Sequence, residues 1–213
     1  IGEQRNGRLQ GIVASFEAAS ARQSREVASF ATTKTFTIEH KGEITAQTVA
    51  ALQFTAPDVK AFAIKAIRGS DFQRGRVIDK LMATEIETTA RRRSASVAIS
   101  SANYEFGEAR EDGDAFTIDV RPRRRDQLLF KGRIWVTKAG FHLKRVEGEP
   151  AKSPSFWTRR IRFVSEYAPM QGIWLHVRTV ARVKVRLFGE YVIRSECGPY
   201  DMVLIPARTP DQR

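Results

Sequence analysis

The stretch WLHVRTVARVKVRLF, residues 174–188, keeps a strict period of two, and this limits the chain more than any other feature. Leu175, Val177, Thr179, Ala181, Val183, Val185 and Leu187 fall on one side, and His176, Arg178, Arg182, Lys184 and Arg186 on the other. Such alternation is a β-strand with one dry face and one wet face. A strand of this kind belongs in an antiparallel sheet that covers a core on one side only.

The same period recurs along most of the chain. EVASFATTKTFTIEH, ITAQTVAALQFTA and VKAFAIKAI read as three successive strands, over about 26–68, broken at Lys41-Gly42 and at Thr55-Ala56-Pro57-Asp58. Their short connections and turn residues describe a meander. A second run of strands extends over about 103–203. Its turns are expected at Asp112-Gly113, Lys138-Ala139-Gly140, Pro169–Gly172 and Gly189-Glu190, because Asp-Gly and similar pairs adopt hairpin dihedrals readily.

Two segments switch to helical spacing. Leu9, Ile12, Val13 and Phe16 predict an amphipathic helix over about 5–22, and Val77, Ile78, Leu81, Met82 and Ile86 predict another over about 71–92. Asp71 is the expected N-cap of the second helix, and Arg91-Arg92-Arg93 are expected near its end. SASVAISS reads as a connection, and residues 204–213 as a frayed tail.

About ten strands, two helices and no βαβ rhythm predict a mainly β (α+β) fold in a single domain over residues 1–213. So many strands curl under their own twist, giving a curved antiparallel sheet that approaches a half-open barrel. The two helices would cover its concave face. Any uncovered part would be an apolar pocket.

Charge and chemistry narrow the function. The 213 residues include 36 Lys and Arg against 24 Asp and Glu, a net charge of +12 that attracts anionic partners. No apolar run approaches the ~18 residues of a membrane-spanning helix. His40, His142 and His176 share no metal-ligand spacing, and each is expected at an exposed or strand-end position. Cys197 is the only cysteine, expected as a small apolar residue on the face of Ile193. No nucleophile elbow, phosphate loop or dinucleotide fingerprint is present, so no catalytic residue, metal or cofactor is assigned.

Two surfaces are candidates for binding. Large side chains on the inward faces, Phe36, Phe54, Phe62, Ile118, Phe130, Ile134, Trp157, Ile161, Phe163, Leu175 and Val183, form either a plain core or the wall of a cavity for an acyl chain. Arg121, Arg123, Arg124 and Arg125 form either an anionic-headgroup site or a solvated hairpin tip.

The run from Val120 to Ile193, with FKGRIWV, RVEGEPAKSPSFW and RFVSEY followed by a Gly-x-Trp-Leu strand, resembles the bacterial outer-membrane lipoprotein-sorting family with the LolA/LolB-like fold. The FQRGRVIDKLMATE helix and the NYEF strand start extend the resemblance over about 22–200. It implies a half-open barrel capped by helices, a periplasmic or otherwise exported location behind a signal peptide upstream of Ile1, and lipid or lipidated protein in the interior. The expected function is therefore non-enzymatic: a lipid or lipoprotein carrier, with envelope proteins and membrane surfaces as further partners. The alternatives are an envelope sensor or adaptor, and a binder of anionic polymer through the basic sheet face. Nucleic acid ranks last, for want of a recognisable motif.

Overall fold

The computed structural model describes residues 2–206; Ile1 and residues 207–213, most of the expected tail, lie outside the described residues. The chain order is α1 (Gly2–Glu26), β1 (Val27–His40), β2 (Glu43–Thr55), β3 (Val59–Gly69), α2 (Asp71–Gln73), a π-helical turn (Arg74–Ile78), α3 (Asp79–Thr89), α4 (Arg91–Val97), and then strands β4 to β11. Those strands are β4 (Tyr104–Asp112), β5 (Ala115–Pro122), β6 (Phe130–Thr137), β7 (Leu143–Pro150), β8 (Thr158–Met170), β9 (Ile173–Val185), β10 (Gly189–Cys197) and β11 (Asp201–Leu204).

All the strands join one antiparallel sheet in the order β3-β2-β1-β10-β9-β8-β7-β6-β5-β4, with β11 on β1 beside β10. The sheet does not close, since β3 and β4 are its edges. The fold is mainly β: a curved, open barrel with helical cover, as the alternating pattern predicts.

Most hairpin turns lie where the turn residues place them, but the one expected at Gly189-Glu190 falls at 186–188, because Gly189 and Glu190 already pair with Val185 and Lys184 in β10. Lys41-Gly42 and Gln171-Gly172 both have positive φ at each residue, the mirror-image turn that matches strand twist, and Gly113 follows Asp112 with φ +58°. At Gly132 a different need applies. A Cβ there would stand 2.0 Å from the Glu147 carbonyl oxygen across the β6–β7 pair, so only a residue without a side chain fits.

The helices depart from expectation in several ways, beginning with α1, which runs from Gly2 to Glu26 rather than over about 5–22. Ser70, not Asp71, caps the mid-chain helix, its Oγ accepting from the Gln73 N–H at 3.3 Å. Ser70 has extended backbone, which aims its hydroxyl at the free amides of the first turn. The helix ends at Thr89 rather than about 92, because Ala90 turns to ψ 134°. The arginine run therefore opens α4 instead of closing the helix. Part of the expected serine-rich connection is thus helical, and Asn103 Nδ2 donates to the Ala95 and Ala98 carbonyls (2.9 Å each) near its end.

The helices divide the concave face. From α1, Leu9, Ile12 and Phe16 pack on Tyr104, Ile118, Val120, Ile134, Val136 and Val146 of β4–β7. From the end of the π-turn and from α3, Ile78 and Met82 pack on Phe36, Ile38, Ala46 and Ala50 of β1–β2. Between these two cores lie β8, β9 and β10.

Candidate functional site

Strands β8–β10 and the flanking edges of both cores enclose a cavity of about 680 Å³. Ile161, Phe163 and Tyr167 come from β8, Leu175, Ala181 and Val183 from β9, and Ile193 from β10. Phe36 and Leu52 continue the wall on β1 and β2, Leu81 closes it from α3, and Pro150 and Pro154 lie at the β7–β8 connection. Phe163 and Tyr167 also pack against the α1 core, so cavity and core are continuous. The volume falls within the range of small-molecule sites.

Charged side chains interrupt this apolar wall where β1, β3 and α3 meet. Lys34, on β1, lies on the same face as Phe36 and Ile38, and its side chain is only 4% exposed. Its ammonium is ion-paired with Glu85 of α3. Lys60, on β3, reaches the other oxygen of the same carboxylate at 3.7 Å. Burial by itself raises the Glu85 carboxyl, but Lys34 and Lys60 outweigh it and hold the group below its ordinary range. Burial, followed by repulsion from Lys34, holds Lys60 below the usual lysine range against the pull of Glu85. Two cations share one anion here.

Next to this trio, His176 Nε2 is 2.7 Å from Thr179 Oγ1 and its Nδ1 is 3.7 Å from Cys197 Sγ. Thr179 Oγ1 is also 2.7 Å from Ser165 Oγ, and the Tyr200 hydroxyl donates to the His176 carbonyl at 2.6 Å. Burial, reinforced by Lys34, pushes His176 down to about 4, and burial pushes the Cys197 thiol up. Both shifts favour the neutral pair, the opposite of the thiolate and imidazolium that a nucleophilic cysteine needs.

His176 is inward because the alternation of β9 breaks. Glu166 pairs with Arg178 and Tyr167 with His176, so Val177 is an extra residue that breaks the alternation locally and leaves both Leu175 and His176 on the cavity wall. His176 therefore shares the inward face with Thr179, not the wet face predicted for it. The other histidines lie away from the cluster. His40 stacks on Tyr191 (4.3 Å between ring centres) and His142 on Trp174 (5.8 Å).

No family model and no curated protein matches the chain. Among solved structures it is similar to a DUF1329 family protein from Desulfovibrio piger, with 12% identity and a TM-score of 0.45 over 89% of this chain and 92% of that one. It is similar to a LolA superfamily protein from Nitrosomonas europaea at 12% identity and TM-score 0.43, over 93% and 94% of the two chains. A domain described as outer membrane lipoprotein-sorting, from Vibrio parahaemolyticus, aligns at 12% identity and TM-score 0.46, over 88% and 91%.

Of the apolar residues singled out from the sequence, Phe36, Ile161, Phe163, Leu175 and Val183 line the cavity. Ile118, Phe130 and Ile134 are instead filled over by α1 in the packed core. Phe62 packs beside Phe36 under the mid-chain helix, and Phe54 stacks on Phe30 at 5.1 Å. Trp157 is at an exposed tip with Phe156, Leu187 and Phe188; Leu187 is 91% exposed, and the Arg186 guanidinium lies 4.6 Å from the Phe156 ring centre.

Two of the four arginines are held by the segment 101–103. Arg123 donates to the Ser101 carbonyl (2.8 Å), Arg124 donates to Asn103 Oδ1 (2.8 Å), and Arg121 and Arg125 are exposed. On the outer sheet face many of the remaining cations pair across strands: Arg160 and Arg162 with Glu149, Arg178 with Glu166, and Arg182 with Glu190.

Proposed function

We propose that this protein is a non-enzymatic, exported lipid- or lipoprotein-binding protein that holds acyl chains in the cavity along β8–β10. The observation that carries this reading is an apolar-walled space of about 680 Å³ between two separately packed cores. Each methylene moved from water into it contributes about 0.8 kcal/mol, partly offset by the ordering of chain and wall.

Extraction of protein purified from its native host should release lipid, and the emptied protein should take up a fluorescent fatty acid. Ala181 is a small residue of the cavity wall, so Ala181→Trp should weaken that uptake by about tenfold or more while leaving the unfolding temperature nearly unchanged. A protein that is reproducibly free of lipid and takes up no fatty acid would refute the reading.

A membrane is the natural source and destination of such a ligand. The exposed tip formed by Phe156, Trp157, Leu187 and Phe188 joins bulky apolar side chains to Arg186 on a chain of net charge +12, which suits an anionic bilayer surface. Changing Leu187→Asp and Phe188→Asp together should lower co-sedimentation with phosphatidylglycerol-rich vesicles several-fold, without changing uptake of fatty acid from solution. Unaltered sedimentation would remove the tip from the reading.

A further inference from the structure

The wall of an acyl-chain cavity needs no charge, yet this one carries three charged side chains. Among the described residues lining it, Lys34 and Lys60 are the cations and Glu85 is the anion. The remaining polar lining groups are neutral. Burial holds Tyr167 up at about 12 and His176 down at about 4, and Cys197 and Tyr200 are likewise pushed up. The trio therefore leaves one positive charge without a counter-charge beside a space large enough for a guest. A partly buried cation without an anion is costly, and a ligand that brings the anion gains both a charge-assisted hydrogen bond and relief of that cost.

The two lysines are not equivalent. Lys34 is the more deeply buried and is the closer partner of Glu85. Lys60 stands 3.7 Å from the carboxylate and keeps 19% of its side chain exposed. The uncompensated charge is best placed on Lys60, where an incoming group can approach.

Building on the acyl-chain reading, we infer that Lys60, backed by Lys34, binds the carboxylate of a single-chain fatty-acid ligand whose tail lies along β8–β10. A carboxylate carries the single negative charge that balances the trio. A phosphate monoester, at about −1.5 to −2, overshoots it. The Glu85 carboxylate stays in place on Lys34, and the ligand completes an alternating row of two cations and two anions.

The test is displacement of the neutral dye Nile red from the intact protein by palmitate, methyl palmitate and hexadecyl phosphate. Palmitate should displace the dye at a concentration about tenfold or more below its methyl ester, the effect of one charge-assisted contact in a partly dry site. Lys60→Met should bring palmitate to the level of the ester and leave the ester unchanged, with the unfolding temperature confirming the fold. Lys34→Met should narrow the same gap, which keeps the test open if one variant fails to fold. Equal displacement by palmitate and its ester in the unsubstituted protein would overturn the anion site and leave the acyl cavity standing. No dye binding and no displacement would overturn both. A stronger effect of hexadecyl phosphate than of palmitate would overturn the carboxylate assignment, and a preference for palmitate that survives both lysine changes would overturn the role of the lysines.

Discussion

Glu85→Gln should lower the stability of the protein by about 3 kcal/mol, more than removal of either lysine that Glu85 holds. The change keeps shape and volume and deletes only the charge. It leaves Lys34, 4% exposed, and Lys60, 19% exposed, facing each other with no anion between them. Breaking a buried ion pair from one side leaves an uncompensated charge, and here it leaves two of the same sign. Lys34→Met has a much smaller effect. It retains a flexible apolar stem of similar length and leaves Lys60 and Glu85 as a balanced pair, so a change within about 1 kcal/mol is expected. In urea unfolding the midpoint of the Glu85→Gln variant should fall with the slope unchanged, and its unfolding temperature should fall by roughly 6–12 °C for a chain of this size. A Glu85→Gln variant as stable as the original would mean that the lysines lose their protons or reach water, and the surplus positive charge beside the cavity would not exist.

The sheet was legible in the sequence because its evidence is local. Period-two runs such as 179–185 and glycine turns such as Gln171-Gly172 act over a few residues, and each residue type reports its own face. The division of the inward face was not legible in this way. Ile134 and Ile161 look alike in their strands, yet α1 covers the first and the second lines the cavity. That distinction depends on where a helix lands, which no strand pattern encodes. The charged trio did leave a signal. Lys34 shares parity with Phe36 and Ile38, Lys60 with Phe62, and Glu85 stands seven residues from Ile78 on the apolar stripe of its helix. A charge on an apolar face in three separate elements points to a common meeting place. His176 left no such mark, because its inward position follows from a bulge at Val177 that interrupts an otherwise regular strand. The arginine run at 91–93 shows a converse limit: read by composition it suits a helix end, but the extended backbone of Ala90 makes it a beginning.

The bulge sets up the second large effect, an acid sensitivity centred on His176. In the unfolded chain this imidazole titrates near 6.5, and in the folded protein burial, with Lys34 as the next cause, lowers it to about 4. Between those values the unfolded chain binds a proton that the folded protein refuses, so folding is opposed increasingly as pH falls. The contribution is fully present above the unfolded value and is lost as pH falls through the folded one. The loss is about 3 kcal/mol by pH 4, and about 2 kcal/mol of it has gone by pH 5. Glu85 has the same sign in a lower window: its folded value lies below 4.5, so the stability it contributes is lost only beneath that value. His142, also held below its ordinary value by burial, adds to the slope but is remote from the trio. In His176→Gln a neutral amide keeps a partner for Thr179 and removes the titration, while His142 and Glu85 remain. Unfolding free energies measured in urea from pH 7.5 to 4.5 should therefore diverge between the two proteins below about pH 6.5, the original losing about 2 kcal/mol more by pH 5. Parallel curves would mean that His176 takes up its proton in the folded state, which would require water or an anion in the cavity beside Lys34 and place a second positive charge where only one is now left over.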